Sequence, residues 1–249
     1  MKVDFSNWPY PRWVAHRGAG KLAPENTLTA FRLGAQHGYR MFECDVKLSA
    51  DGRPFLFHDD RLDRTSDGTG LAGERSWAEL KDLDAGSWHS PGFAGETIPS
   101  FQAFARWIRA NHLHVDVEIK PTPGVEVETG HAVAAACATY WQGAEVPPLM
   151  TSFQPASLQA AMQSQPDLPR GLLVNTLWEG WFDMAQSLQC VAVVLKHTLV
   201  DAALVQRAHA ARLRVAVYTA NDVPDVDRVL AAGVDMVITD AVDVYSPRA

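Results

Sequence analysis

The chain has 249 residues, of which 47% are hydrophobic, and its formal net charge at pH 7 is −7. That length and apolar fraction suffice for one large core and match the roughly 250 residues typical of an α/β barrel. The negative charge disfavours nucleic-acid binding, because it repels polyanions and no stripe of Lys and Arg offsets it. We therefore expect one domain spanning residues 1–249, in which locally concentrated positive charge would still admit small anionic substrates.

Signals for a membrane or an oxidising compartment are missing from the sequence pattern. No apolar run approaches the roughly 18 to 20 residues of a spanning helix, and the opening MKVDFSNWPYPRW lacks the basic head and apolar middle of a signal peptide. The three cysteines lie far apart in apolar surroundings without CxxC spacing, so we expect buried thiols rather than disulfides or a zinc site: Cys44, Cys137 and Cys190. These features predict a cytoplasmic protein that does not insert into a membrane.

Strand-like apolar runs alternate with helix-like stretches along the chain. This alternation predicts a parallel sheet with helical crossovers. Eight such runs occur, in the order WVAHRG, MFECDVKL, HVDVEIK, PLMTSF, RGLLVN, CVAVVLK, RVAVYTA and DMVITD. Eight repeats close a barrel, so the expected fold class is α/β, a (β/α)8 TIM barrel. Pro24 and Pro155 suit first-turn helix positions, and Ser76 to Glu79 has capping-box spacing.

The run RPFLFHDD breaks the alternation, because only SADGRP separates it from the second strand. A parallel crossover needs about a dozen residues, so this run should fold back as an antiparallel hairpin with residues 51–52 in the turn. A two-residue turn would place His58 opposite Asp45 or Glu43, whereas a three-residue loop would place it opposite Cys44. The alternation of aromatic residues along the run favours the face that carries the two acids.

A long insertion follows the hairpin, from about residue 59 to 100, and is rich in Gly, Asp and aromatic residues. Ordinary barrel loops are shorter. The segment is therefore expected to be an inserted cap over the barrel mouth, where it could shape the pocket for the alcohol part of a substrate. A packed surface excursion is the alternative. His89 lies in this segment and is a candidate substrate contact.

Acidic residues lie near the ends of two neighbouring predicted strands. Glu43 and Asp45 are two apart and must share one face of the second strand, and Glu118 lies near the end of the third. Carboxylate ligands at the carboxyl ends of barrel strands favour a hard divalent cation, Mg²⁺ or Ca²⁺. The alternative is that each acid neutralises a nearby Lys or Arg. Asp116 shares the face of Glu118 at a deeper position and is expected to partner a buried cation.

Two histidines and two cationic side chains accompany these acids. His16 ends the first strand and His58 approaches from the hairpin, so two imidazoles could flank one bound group as general acid and base. Arg17 offers a planar fork for phosphate oxygens, and Lys120 offers a compact charge for the same group. Glu25 could steady Arg17 or favour a helix N-terminus.

With these motifs, the chain resembles the glycerophosphodiester phosphodiesterase family over nearly its whole length. The matching motifs are AHRGAGKLAPENT, ECDVKLSADGRPFLFHDD, LDAGSW, VEIKP, TSF and ITD. The opening SNWPYPRWVAHRG and the later VYTAN are similar to the cytoplasmic family enzyme associated with bacterial glycerol 3-phosphate uptake. The resemblance implies a distorted eight-stranded barrel that hydrolyses glycerophosphocholine, glycerophosphoethanolamine and similar diesters to glycerol 3-phosphate and an alcohol.

The resemblance also implies roles for individual residues. One divalent cation would be held by Glu43, Asp45 and Glu118. His16 and His58 would form the acid/base pair, and Arg17 and Lys120 would hold the phosphate. Phe153 and Tyr218 end the fourth and seventh runs, where they could wall the substrate pocket or pack in the core. Many family members have Trp where this chain has Tyr218.

Three other functions are weighed against this one. A sugar-phosphate isomerase or aldolase would bind phosphate on Gly-rich backbone after strands seven and eight, but those ends read YTAND and ITDAVD. Phospholipase D-type or lyase activity on lysolipids or sphingomyelin would share the metal site, but would want an apolar docking surface. A noncatalytic barrel would be free to lose part of the cluster. The nucleophile stays open between the glycerol 2-hydroxyl, which would give a cyclic phosphate, and water.

Overall fold

The computed structural model describes residues 8–245 and residue 247. The first seven residues lie outside this part, so the expectation about a signal peptide and the first two residues of the opening motif concern residues that are not described. Nine strands form one sheet: β1 (Trp13–Ala15), β2 (Met41–Leu48), β3 (Pro54–Leu56), β4 (His114–Ile119), β5 (Leu149–Ser152), β6 (Arg170–Val174), β7 (Ala192–Lys196), β8 (Arg214–Tyr218) and β9 (Met236–Thr239).

Eight of these strands form a closed parallel barrel. The hydrogen-bonded order runs β1, β9, β8, β7, β6, β5, β4, β2, and a further pairing of β1 with β2 closes the ring. The remaining strand, β3, pairs antiparallel with β2. The eight barrel strands are the eight apolar runs of the sequence, so the predicted TIM barrel with an inserted hairpin is confirmed.

Helices follow the strands on the outside of the barrel. They are α1 (Leu28–Gln36), α2 (Trp77–Leu80), α3 (Phe101–Ala110), α4 (Glu126–Tyr140), α5 (Pro155–Ser164), α6 (Trp181–Ser187), α7 (Ala202–Ala210) and α8 (Val223–Ala232). In the described part of the chain, none of these helices is long and apolar enough to cross a membrane.

The predicted helix starts had mixed outcomes. Pro155 is the first residue of α5, and Ser76 donates its backbone N–H to the Glu79 carboxylate at 2.8 Å, so both of those predictions are confirmed. The prediction for Pro24 is wrong, because α1 begins only at Leu28. The hydroxyl oxygen of Thr27 accepts the N–H of Ala30 at 3.2 Å and defines the N-cap three residues after the proline.

Alternation along β2 separates the functional face from the packing face. Phe42, Cys44 and Val46 are fully buried among the helices, whereas the intervening Glu43 and Asp45 point into the barrel. An apolar cluster fills the barrel interior next to these acids: Val14, Met41, Leu149, Leu173, Val194, Ala216, Met236 and Ile238. All three cysteines are buried and free, as predicted.

The hairpin has a different register from the one favoured by the sequence pattern. Val46 pairs with Leu56, and the backbone N–H of Ser49 donates to the carbonyl of Arg53 at 3.1 Å. Three residues, 50–52, therefore form the loop, with Gly52 at a φ of +75°. The expected two-residue turn is wrong.

This register does not remove His58 from the acids. If the ladder continued, His58 would lie opposite Cys44 and face the helices, as Leu56 does. The strand ends at Leu56, however, and the chain turns back toward the mouth. His58 Nε2 thereby lies 2.9 Å from the ammonium of Lys120.

Residues 59–100, which we call the cap segment, have little regular structure. They contain α2 and three 3₁₀ turns, at Leu62–Arg64, Ala72–Glu74 and Pro91–Phe93. The cap segment packs on a separate apolar cluster with the hairpin: Phe55, Phe57, Leu62, Ala72, Leu80, Ala85 and Ile98. Its position is also fixed by an ion pair of 2.9 Å between Asp60 and the buried Lys47.

A glycine on α1 provides a test of the contact between this helix and the loop after β1. A Cβ on Gly34 would lie 2.1 Å from the carbonyl oxygen of Gly18 and 2.8 Å from the Phe42 ring. We expect Gly34→Ala to lower the free energy of unfolding by about 1–3 kcal/mol, because overpacking outweighs the gain in helix propensity. Urea denaturation measures this change.

The matched control is Gly92→Ala in the cap segment, where the nearest atom to a new Cβ is 3.8 Å away. Its stability should stay within about 0.5 kcal/mol of wild type. Equal midpoints and slopes for Gly34→Ala and wild type would contradict the close approach.

Candidate active site

The predicted site residues meet in one cavity at the carboxyl ends of the barrel strands. The cavity has a volume of about 230 Å³. Eight of the nine predicted site residues line it, namely His16, Arg17, Glu43, His58, Glu118, Lys120, Phe153 and Tyr218. The ninth, Asp45, is fully buried at its floor, with a carboxylate oxygen within 4.8 Å of oxygens of Glu43 and Glu118.

The three carboxylates form a set that could hold a metal ion. Their oxygens lie within 4.8 Å of one another. Within residues 8–245, Glu43 Oε1 and Asp45 Oδ1 are buried and lack a hydrogen-bond partner. Buried oxygens are normally satisfied, so two unsatisfied acceptors in an all-oxygen set fit a hard divalent cation.

The surroundings shift the pKa values of the three acids in different directions. Burial, followed by the neighbouring carboxylates, raises the pKa of Glu43, and burial raises the pKa of Glu118 to about 7. Burial acts in the same direction on Asp45, but Arg17, His58 and Lys120 outweigh it and hold the pKa of that carboxyl below its usual range. The surrounding side chains therefore stabilise the ionised form of Asp45 more than those of Glu43 and Glu118, and a bound cation would favour the ionised forms of all three.

The loop after β1 positions Arg17 by an unusual backbone conformation. Arg17 has a φ of +50°, and its N–H donates to Glu43 Oε2 at 3.1 Å. Its guanidinium lies 2.9 Å from Glu25 and 3.2 Å from Asp45. Burial alone would lower the pKa of Arg17, but Asp45 and Glu25 outweigh this effect and raise it. Glu25 thus steadies Arg17, the first of the two alternatives considered for it.

Asn26 completes the hold on Asp45. Its side-chain amide donates to Asp45 Oδ2 at 2.8 Å, and its carbonyl oxygen accepts the backbone N–H of Asp45 at 3.2 Å. Asn26 also has a positive φ, of 59°. These two hydrogen bonds fix Oδ2 and the backbone of Asp45. The other carboxylate oxygen, Oδ1, has no hydrogen-bond partner among the described residues.

His16 is oriented by a carboxylate from the last barrel strand. Its Nδ1 lies 2.6 Å from Asp240 Oδ1, and its Nε2 lies 3.8 Å from Glu43. Asp240 in turn accepts from the amide of Asn221 at 3.0 Å. A Cβ on Gly20 would lie 2.1 Å from the Asp240 carbonyl oxygen, so glycine is needed for this loop to approach β9.

His58 has a parallel arrangement. Its Nδ1 lies 2.6 Å from Asp59 Oδ1, and its Nε2 lies 2.9 Å from Lys120 Nζ. Since a lysine ammonium only donates, Nε2 is the acceptor and Nδ1 carries the proton. Burial lowers the pKa of His58, against the opposing effect of Asp45. Both histidines therefore direct Nε2 into the cavity and hold Nδ1 against a carboxylate.

Lys120 connects the second histidine to the acids, with its ammonium 3.0 Å from Glu118 and 3.8 Å from Asp45. It also lies 5.6 Å from the centroid of the Phe153 ring, which packs edge-on against Tyr218. Both aromatic rings line the cavity and also pack on the apolar cluster of the barrel interior, so the two positions considered for them are combined.

The prediction for Asp116 is wrong. Instead of pairing with a cation among the described residues, it accepts a hydrogen bond from the Thr151 hydroxyl at 2.7 Å. Burial raises the pKa of Asp116 to about 7. Burial thus favours the neutral form of this carboxyl, and a hydrogen bond takes the place of the expected ion pair.

Sequence reasoning missed several residues that orient the site. Asp240 and Asp59 hold the two histidines, Asn26 holds Asp45, and Arg64 of the cap segment binds both Asp59 and Glu25. Asp59, Asn26 and Asp240 lie inside the motifs HDD, PENT and ITD. The motifs are recognisable in the sequence, but the sequence does not indicate which side chains these three residues contact.

Comparisons with known proteins agree with this geometry. The sequence model of the glycerophosphoryl diester phosphodiesterase family matches residues 16–244. A glycerophosphodiester phosphodiesterase from Caldanaerobacter subterraneus is 32% identical over 232 residues, which cover 91% of this chain and 93% of that protein.

Solved structures match over a similar length. A phosphodiesterase from Oleispira antarctica, solved in complex with the product sn-glycerol-3-phosphate, has a TM-score of 0.88 and 34% identity, with 96% of this chain and 97% of that chain covered. A glycerophosphodiester phosphodiesterase from Agrobacterium tumefaciens has a TM-score of 0.79 and 26% identity, with 95% and 99% covered. The family match over most of the chain, the fold and the assembled cluster lead to one conclusion: this chain belongs to the glycerophosphoryl diester phosphodiesterase family.

Proposed function

We propose that the protein is a metal-dependent hydrolase of glycerophosphodiesters, such as glycerophosphocholine and glycerophosphoethanolamine, that releases glycerol 3-phosphate and an alcohol. The observation that carries this proposal is a cluster of three buried carboxylates, two of which have an unsatisfied oxygen, beside two imidazoles and two cationic side chains. The names of the full-length relatives denote glycerophosphodiester phosphodiesterases, which does not favour phospholipase D-type or lyase activity on lysolipids or sphingomyelin.

In this proposal Glu43, Asp45 and Glu118 hold one divalent cation, Mg²⁺ or Ca²⁺. When bound, the cation supplies Lewis-acid stabilisation of charge on the phosphate oxygens. Arg17 and Lys120 bind the same phosphate group. Lys120 already points its ammonium into the cavity, where it now bonds His58. Phosphate binding would compete for that ammonium and free the imidazole lone pair.

The two histidines divide the proton transfers. His58 has a buried Nε2 lone pair and a lowered pKa, which suits a base at neutral pH. His16 lies between the carboxylates of Asp240 and Glu43, which suits a proton donor to the departing alcohol. The nucleophile activated by His58 is the glycerol 2-hydroxyl, which gives a cyclic phosphate for later hydrolysis, or water. The family resemblance favours the cyclic route.

The catalytic unit in this proposal is one domain, residues 1–249, with the cap segment inserted at about 59–100 over the mouth. Contacts of the cap segment with the site support this organisation. Arg64 donates to Glu25, and Asp59 lies against Nδ1 of His58. The cytoplasmic location expected from the sequence stays a prediction.

Arg64 acts in this scheme as a positioning residue. It donates to Asp59, the partner of His58, at 2.6 and 2.9 Å, and to Glu25, the partner of Arg17, at 2.7 and 2.9 Å. Hydrogen bonds from Arg64 lower the pKa of Asp59. One cap-segment side chain thus holds both the proposed base and the proposed phosphate clamp through their carboxylate partners.

The proposed reaction is tested by incubating metal-stripped protein with glycerophosphocholine and measuring glycerol 3-phosphate with and without Mg²⁺ or Ca²⁺. We expect cation-dependent release, because the proposed mechanism uses the cation to stabilise charge on the phosphate oxygens. Glu43→Gln should weaken calorimetric cation binding by at least about tenfold.

Asp116→Asn is the matched control, since it removes a buried acid that lies on β4 with Glu118 but outside the trio. Its cation affinity should stay near that of wild type. Absence of glycerol 3-phosphate under every cation condition would contradict the proposed function.

The histidine assignment predicts a bell-shaped pH dependence of kcat/KM. The acidic limb should lie below the ordinary imidazole value of about 6.5, because burial lowers the pKa of His58 and the base must be deprotonated to act. His58→Ala should remove this limb and His16→Ala the basic one, each with a loss of about 10²- to 10⁴-fold. Profiles that keep both limbs in both variants would contradict the pair.

Arg64→Met should lower kcat by roughly 10- to 100-fold through misplacement of His58 and Arg17. It should also move the acidic limb of the pH profile upward, because Asp59 would keep an unneutralised negative charge beside the imidazole. Arg64→Lys should restore part of the loss. The control is Arg61→Met, which removes an exposed cap-segment arginine paired only with Asp63. An unshifted limb in Arg64→Met would contradict the positioning role.

A further inference from the structure

A second cavity adjoins the first one at His16 and Arg17. Its volume is about 370 Å³, larger than the 230 Å³ of the cavity that contains the acids. We call it the outer cavity. It lies between the loop after β1, the cap segment and the end of β9, and is lined by Gly20, Lys21, Ala23, Glu25, Arg64, Trp88, His89 and Asp240 in addition to the two shared residues.

Two adjoining cavities suit the two arms of a phosphodiester. Every substrate of the proposed class has a glycerol phosphate arm, and this constant part belongs with the metal-binding acids in the enclosed inner cavity. The alcohol arm varies in size and chemistry and has to leave first. The larger cavity beside the proposed proton donor His16 gives that arm both space and a proton.

We propose that the outer cavity binds the alcohol arm and favours uncharged, hydroxyl-bearing alcohols over quaternary ammonium alcohols. This inference rests on the proposed function and adds a substrate preference to it. Two features carry it: the charges that line the outer cavity and the open face of Trp88.

The charges of the outer cavity disfavour a cationic arm. Its two carboxylates are already engaged, because Glu25 binds two arginines and Asp240 binds His16 and Asn221. Lys21 is exposed, and its ammonium makes no ion pair with any residue that the structure describes. A quaternary ammonium would therefore meet an unpaired cation and find no open carboxylate.

His89 lines the outer cavity with its ring. Its Nε2 lies 3.0 Å from the carbonyl oxygen of Lys21, and a carbonyl only accepts, so Nε2 carries the proton. Nδ1 is buried, so a substrate in the outer cavity contacts the ring of His89 and not this nitrogen.

Trp88 supplies an apolar face for the carbon skeleton of the alcohol. Its N–H donates to the carbonyl of Ala85 at 2.8 Å, and the residue remains 39% exposed. One exposed tryptophan face attracts a quaternary ammonium only weakly, and full recognition of such groups uses a cage of several rings. The repulsion from Lys21 therefore decides the preference.

The test compares kcat/KM for glycerophosphoglycerol and glycerophosphocholine, with glycerol 3-phosphate as the measured product. Wild type should favour glycerophosphoglycerol by at least about fivefold. Lys21→Met should raise kcat/KM for glycerophosphocholine relative to that for glycerophosphoglycerol by about two- to fivefold, the scale of one exposed charge contact.

Lys81→Met is the matched control, because Lys81 is an exposed cap-segment lysine that pairs with Asp82 outside the outer cavity. It should leave the substrate ratio unchanged. Equal or better use of glycerophosphocholine by wild type, or an unchanged ratio in Lys21→Met, would overturn the inference while the proposed function stands. Failure to release glycerol 3-phosphate from either diester would overturn both.

Discussion

The mutual repulsion of three buried carboxylates is the constraint on which the site depends. Glu43, Asp45 and Glu118 have relative exposures of 4%, 0% and 8%, and their oxygens lie within 4.8 Å of one another. Ionised groups at such depth are unfavourable unless they are paired or bonded. Arg17 and Lys120 lie close enough to supply much of that pairing. A cation bound by the three carboxylates would supply further pairing.

The loop after β1 supplies hydrogen-bond donors to these carboxylates. Arg17 and Asn26 both adopt left-handed conformations, which non-glycine residues rarely do and which cost of order 1 kcal/mol or more each. In return, the N–H of Arg17 reaches Glu43 and the amide of Asn26 reaches Asp45. The strain is concentrated where the carboxylates need donors, so the loop after the first strand is shaped by the charges on the second.

The sequence predicts the barrel and the trio well because both follow from strict alternation. Residues two apart on a strand must share a face, and parallel strands bring their carboxyl ends together, so Glu43, Asp45 and Glu118 meet whatever the detailed register. The register of the hairpin was harder to predict. The hydrogen bond between Ser49 and Arg53 closes a loop of three residues instead of two. A difference of one residue reverses the face of the sheet on which the side chains of β3 lie.

The partners of the histidines could not be predicted in the same way. Asp240 is 224 positions from His16, and their contact depends on how closely the Gly20 loop approaches β9. Asp59 follows His58 directly, yet neighbouring residues meet through such a short contact only where the strand has ended. Pairings that depend on closure of the barrel or on an irregular turn have no periodic signal in sequence.

The three acids and the outer cavity are built from different parts of the fold. The acids lie on β2 and β4, whose many neighbours hold them in place, whereas the outer cavity is built largely from the loop after β1 and the cap segment. Loops can change without disturbing the barrel, so under the proposed function the alcohol arm could be selected independently of the proposed metal site. Arg64 limits this independence, because it lines the outer cavity and also holds the carboxylate partners of His58 and Arg17. A change in the cap segment that moves Arg64 would therefore alter substrate preference and proton transfer together.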